Sequence, residues 1–293
     1  MATEYIAHVT PGSASKNLAV TGIVFPSDAL VMLINDAAMA VYSPNDAITT
    51  LPNQHINSDL AGFDYLGVSG GVDITLSRAL LNGNKLIKMA TRWIGVSGYY
   101  YYTRACLYRN PNGVTGYPYS PGISGVTRSI LIYPDKTLFT GGDSQHKAAA
   151  AHAIGFMEFS PGQYSGLVTG TSSTQWLFYT GGAFDREELG LAPEINGEWY
   201  HFIIVETGGV DRKVQIYVNG ILLFDASLPN RTLYPNIITL SHLNRRTNSI
   251  DASFNGYYAH GATWLKALSV SEINDVIKTI NYEYGLTNPL VEV

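Results

Sequence analysis

Three carboxylates, Asp185, Glu187 and Glu188, crowd into the stretch FDREELG. Cleaving a glycosidic bond with retention takes one carboxylic acid and one carboxylate about 5 Å apart across the bond. This cluster has Arg186 between its members and lacks the period-2 spacing that would set a carboxylate pair on one strand face, so it reads as a solvated loop. Gly67-Val68-Ser69-Gly70-Gly71 has the form G-x-S-x-G. A nucleophile elbow must turn from a strand into a helix to lift its serine hydroxyl. Here VDITLS follows and reads as a strand, so a hairpin turn is expected. The seven histidines, His8, His55, His146, His152, His201, His242 and His260, include no H-E-x-x-H spacing, and zinc needs several such ligands converging. Cys106 is the single cysteine, which excludes an internal disulfide and a thiolate zinc site. No catalytic set is expected.

Aromatic residues offer a different chemistry. Tyr99 to Tyr102 form a run of four, and on a strand alternate rings face opposite sides, so Tyr100 and Tyr102 share a face. Downstream, NPNGVTGYPYSPG places Asn112, Tyr117 and Tyr119 in a Gly- and Pro-rich segment, 110–125, too long for a simple connection. Sugar rings present apolar C–H faces that stack on aromatic rings, and their hydroxyls need Asn and backbone partners. The same residues suit a protein–protein contact, where tyrosine anchors are enriched, or ordinary packing of the loop. Tyr100, Tyr102, Asn112, Tyr117 and Tyr119 are the candidate ligand-binding residues.

The elements that would position these groups are mostly strands. Strands are expected at 18–25, 30–34, 37–42, 63–68, 72–77, 86–96, 99–107, 129–132, 154–159 and 176–179, with a polar connection over 43–62. The pattern is clearest near the C-terminus. Residues 199–205 are aromatic and β-branched, and Val214, Ile216 and Val218 alternate with polar or amphipathic neighbours. Asn219-Gly220 is the hairpin dipeptide whose type I′ turn needs positive φ at both positions. Ser269 and Glu272 have capping-box spacing, Ile273, Val276, Ile277, Ile280 and Tyr284 fall on one helical face, and Gly285 can stop the helix. One amphipathic helix after many strands is a plug on a sheet.

These motifs together, G-x-WYH then V-x-I-Y-V-N-G then F-x-G and ALS-x-x-E-I over residues 197–285, resemble the closing half of laminin-G-like and concanavalin A-like jelly rolls. The resemblance implies an all-β, antiparallel sandwich with one short C-terminal helix. It implies a jelly roll over 61–293, with residues 1–60 joining the sandwich or forming an attachment segment. Glucanases on this fold carry E-x-D-x-E or E-x-D-x-x-E on one strand, and neither spacing occurs here. Family members also hold calcium at the sandwich rim through Asp, Asn and carbonyl oxygens, for which Asp251, Asn244 and Asn255 are the candidates; otherwise no cofactor is expected. His201, within WYH, is expected to pack.

Composition narrows the partners. Net charge is −5 and only 14% of the 293 residues are charged, so no basic surface awaits nucleic acid. No apolar run of about twenty residues spans a membrane, and MATEYIAHVTPGSASKNLAV lacks a secretory signal's basic and apolar regions. Tyrosine outnumbers phenylalanine 20 to 10, which suits rings that present a polar edge. The resemblance and this composition imply a non-enzymatic structural or adhesive virion surface protein, made in the host cytoplasm. A bacteriophage capsid decoration, tail or receptor-binding component would fit. Its expected partners are other virion subunits, further copies of itself and cell-surface glycan. A free glycan-binding lectin is the alternative, and a hydrolase or lyase with unfamiliar residues is the third reading.

Overall fold

The computed structural model describes residues 25–35, 43, 50–52, 62–66, 72–81, 83–93, 106–108, 124–141, 153–160, 163–169, 175–181, 187–193, 197–229, 237–238, 254–285 and 292–293. Among them are sixteen strands and one α-helix. The larger sheet runs in the order β14 (Ile221–Ser227), β13 (Lys213–Val218), β12 (Tyr200–Thr207), β7 (Gly125–Pro134), β16 (Gly256–Trp264), β5 (Asn84–Trp93) and β4 (Val72–Leu81). Its eighth strand, β1 (Leu30–Ile34), pairs with the second half of β16, while β5 pairs with the first half. The first described strand therefore lies beside the last. A second sheet runs β11 (Glu187–Pro193), β10 (Gln175–Gly181), β9 (Gln163–Thr169), β8 (Ala153–Ser160) and β15 (Ile237–Ile238). A third joins β2 (Thr50–Pro52), β3 (Gly62–Leu66) and β6 (Cys106–Tyr108). The ladders are antiparallel. This is the antiparallel β-sandwich with one C-terminal helix, α1 (Val270–Tyr284), that the sequence leads one to expect.

Strand alternation divides the larger sheet's side chains between two dry compartments. Ile130, Ile132, Phe202, Ile204, Val214 and Ile216 face the second sheet and meet Leu167, Trp176, Phe178 and Leu191. The Trp176 ring lies 5.5 Å from Phe202 and 6.0 Å from Tyr200. Leu131, Ile203, Val205, Tyr217 and Trp264 face the other way and meet Ile273, Val276, Ile277 and Ile280 of α1. Burying each of those four helix side chains contributes about 1.5–3 kcal/mol. The larger sheet is thus a middle layer, covered on one side by a sheet and on the other by a helix.

Local chemistry fixes the joints. Asn219 and Gly220 have φ of 52° and 84°, the two positive values the hairpin turn demands. The Asn219 carboxamide oxygen also accepts the His201 backbone N–H at 2.8 Å, tying the turn back to β12. Ser269 and Glu272 form the reciprocal capping box, and Gly285 ends α1 in the left-handed region at φ 54°.

Several expectations change. The 43–62 connection contains a strand, β2, although TLP alone shows no strand pattern. Glu187 and Glu188 open β11, opposite Thr180 and Tyr179 of β10, and are not in a loop; Asp185 lies outside the described residues. The strand after G-x-S-x-G is present as β4, in a different sheet from β3, and residues 67–71 themselves lie outside the described residues. The strands expected at 18–25 and 37–42 lie outside the described residues, apart from buried Phe25 before β1.

Gly261 of β16 leaves room for a neighbour on its own strand. A Cβ there would lie against the Tyr258 hydroxyl and 2.9 Å from its ring carbons, and Tyr258 is 1% exposed with nowhere to turn. Replacing Gly261 by Ala is expected to lower unfolding free energy by about 1–3 kcal/mol through overpacking. Urea unfolding followed by fluorescence measures this, and an unchanged midpoint would contradict it.

Candidate functional site

Three consecutive polar residues of β7, Thr127, Arg128 and Ser129, are buried. Each must find a partner inside the protein, because an unpaired buried polar group costs about 1–3 kcal/mol. Thr127 Oγ1 donates to the Lys266 carbonyl at 2.8 Å and accepts the Leu268 N–H at 2.9 Å, pinning the link between β16 and α1. Arg128 lies on the opposite face, with Nη1 2.7 Å from Glu206 Oε1. Arg212 Nη2 stands 3.3 Å from Glu206 Oε2 and 2.9 Å from Thr180 Oγ1 on the second sheet. Burial pulls the Arg128 guanidinium below its ordinary value and the Glu206 carboxylate opposes that; the group stays charged. Two guanidiniums hold Glu206 from both sides, with side chains 0–1% exposed.

Ser129 Oγ is 2.8 Å from His201 Nε2. A hydroxyl hydrogen-bonded to an imidazole is the arrangement of a nucleophile and its base. Both residues are 0% exposed, however, so the pair does not face solvent or a substrate. His201 and His260 flank Leu131 in register from β12 and β16. The His260 ring meets Phe25 edge to face at 6.2 Å, and neither of its ring nitrogens has a hydrogen-bond partner among the described residues. Burial pushes His260 down to about 3. Burial, and then His260 beside it, hold His201 well below the ordinary imidazole value.

An aromatic constellation is half open to solvent. Lys88 of β5 pairs with Tyr257 of β16, and Tyr257 pairs with Tyr133 of β7. Trp199, just before β12, puts its ring 5.3 Å from Tyr133, whose ring is 5.9 Å from Tyr257. The planes meet at 64° and 65°, edge to face. These four residues share the face that bears α1 and are half-buried, whereas Leu131, His201 and Ala259, two positions along their strands, are buried. Half-buried Asp135 lies two residues beyond Tyr133; its Oδ1 accepts the Thr137 N–H at 3.0 Å and the Thr137 hydroxyl. Burial first, then Asp135 and Tyr133, raise the Tyr257 phenol.

The structure locates little of the set read from sequence. Tyr100, Tyr102, Asn112, Tyr117 and Tyr119 lie outside the described residues, as do Asn244 and Asp251. Asn255 is 1% exposed, and its carbonyl accepts the Asp135 N–H at 2.9 Å. Among the described residues no three His, Cys, Asp or Glu side chains stand together as a metal would need, and no helix is long and apolar enough to cross a membrane. Sequence reasoning missed the aromatic row, although periodicity alone puts Tyr133 on the face of Leu131 and Trp199 on that of His201.

A family model described as the concanavalin A-like lectin/glucanases superfamily matches residues 124–274, just over half the chain. The chain belongs to that superfamily. The matched span runs from the start of β7 into α1, so it holds the buried network and three of the four row residues. No curated protein sequence matches. Similar solved structures include the binding domain of botulinum neurotoxin DC in complex with SialylT, at 13% identity and TM-score 0.46 over 87% of this chain and 52% of that one. Trypanosoma rangeli sialidase in complex with sialic acid is 14% identical with TM-score 0.47, over 91% of this chain and 35% of that one. Domain 4 of AbnA, a GH43 extracellular arabinanase from Geobacillus stearothermophilus, in complex with arabinotriose, is 15% identical with TM-score 0.44, over 80% of this chain and 99% of that one. The chain spans about half of the toxin domain and about a third of the sialidase. Likenesses this distant concern the fold alone.

The buried histidines make stability depend on pH. Their folded pKa values lie below 6.5, so on acidification the unfolded chain takes up protons first. Stability is full above about pH 6.5 and falls as pH drops toward 3. Between pH 7 and 5 the loss from His260 should be about 2 kcal/mol, with His201 adding to it in the same direction. Urea midpoints at the two pH values measure it, and His260→Phe should make the dependence on pH shallower.

Proposed function

We propose that this lectin-like jelly roll is a non-catalytic recognition module, acting as a structural or adhesive component of a virion surface. A bacteriophage capsid decoration, tail or receptor-binding part is the form in view. Its partners there are other virion subunits and further copies of itself, and its ligand is a cell-surface glycan. The observation that carries the non-catalytic part is the sealing of Ser129, His201 and Glu206, the groups best suited to hydrolysis among the described residues. Each holds the fold together and none meets a cleft. Low charge and abundant tyrosine support a surface that associates through neutral contacts.

The half-buried aromatic row favours a second reading, a glycan-binding lectin that works off any particle. Two measurements separate the possibilities. On a broad glycan array the chain should bind saturably, and incubation with the bound glycans should release no new reducing ends. Turnover would overturn the non-catalytic reading. Mass spectrometry of purified particles should find the chain in stoichiometric amounts; its absence would remove the virion role and leave the free lectin.

A further inference from the structure

We infer that the row Lys88–Tyr257–Tyr133–Trp199 is a saccharide-stacking site on the helix-bearing face, an inference that rests on the recognition reading above. Register puts the four side chains side by side across β5, β16 and β7 and the start of β12. Lys88 and the three rings are half-buried, whereas Leu131, His201 and Ala259, two positions along on the same face, are buried. Herringbone contacts at 64° and 65° fix the rings against one another, so a ligand meets a preformed surface and orders few side chains on binding.

The surroundings favour a sugar over an apolar protein partner. Lys88 and Asp135 flank Tyr257, and Ser77 pairs with Lys88 on the next strand. An apolar partner would strip water from an ammonium and a carboxylate and offer nothing in return, which is costly. Saccharide hydroxyls can accept from Lys88 and donate to Asp135, while pyranose C–H faces rest on the rings. Gly197 adopts φ +84°, a left-handed conformation that favours glycine, where the chain turns in toward Trp199.

The test uses the full chain with maltotriose, cellotriose and chitotriose as probes, read by saturation-transfer NMR and titration calorimetry. Binding of at least one trisaccharide is expected, weakened about tenfold or more by Trp199→Ala or Tyr133→Ala. Lys88→Ala, at a half-buried position outside both core clusters, should weaken it several-fold with an unchanged melting temperature, which guards against loss of folding in the ring variants. Binding that survives the Trp199 and Lys88 changes overturns the site and leaves the recognition reading standing. Failure of all three probes also overturns it, while the broad array decides the recognition reading separately. Capture of a protein by the row with no effect of trisaccharide competition overturns it in favour of a protein contact.

Discussion

Strand β7 has almost no face in water, and the rest of the structure answers to that constraint. Nine of its ten residues are buried, because the second sheet covers one side and α1 the other. An all-apolar strand would satisfy this cheaply, as Ile130, Leu131 and Ile132 do. Thr127, Arg128 and Ser129 instead force their surroundings to supply partners. Thr127 fixes the turn into the helix, Arg128 calls up Glu206 and through it Arg212 and the second sheet, and Ser129 takes His201. Three neighbouring residues thereby tie the helix, both main sheets and β12 to a single strand. Leaving Glu206 or either guanidinium without its partner would bury an uncompensated charge, which is where such networks exact their largest penalties.

The same burial separates resemblance to catalysis from capacity for it. A serine against a histidine, and a glutamate between arginines, are what a search for hydrolytic chemistry looks for. Here their hydrogen bonds are spent within the fold. Low accessibility also keeps both imidazoles neutral, at the cost of acid stability. The polar interior works as a set of fasteners, and on the proposed recognition reading a ligand meets the molecule where the layers end.

What the sequence reveals follows the range of the interactions involved. The Asn219-Gly220 turn, the Ser269–Glu272 cap, the Gly285 stop and the buried stripe of α1 depend on residues within a few positions, and all four are plain in the sequence. Strands β9 and β11 are not. QYSGLVT and EELGLAP carry glycine and lack alternation, and they become strands because β10 pairs with both. The Glu187–Glu188 pair looked like a loop for that reason. The aromatic row is hidden more deeply still. Periodicity assigns each residue to a face, but only register places Lys88, Tyr257 and Tyr133 in one line, and register comes from pairings between distant segments.

Geometry also explains why that row is wet. A helix of 15 residues is about 22 Å long and about 10 Å wide. Seven strands in line make a sheet roughly 29 Å across. One helix cannot roof such a face, so some outward-facing residues must meet solvent. Where the roof is present the chain places Leu131, Ile203, Val205 and Ala262. Beyond it, two positions from buried Leu131, His201 and Ala259, stand Tyr133, Trp199 and Tyr257, whose large rings shield the sheet and whose hydroxyl or indole edges tolerate water. A charged surface such as lysine and glutamate would meet the solvent equally well. Interlocked rings bordered by one ammonium and one carboxylate keep the sheet protected and also present apolar faces beside polar groups, which is the combination a saccharide requires.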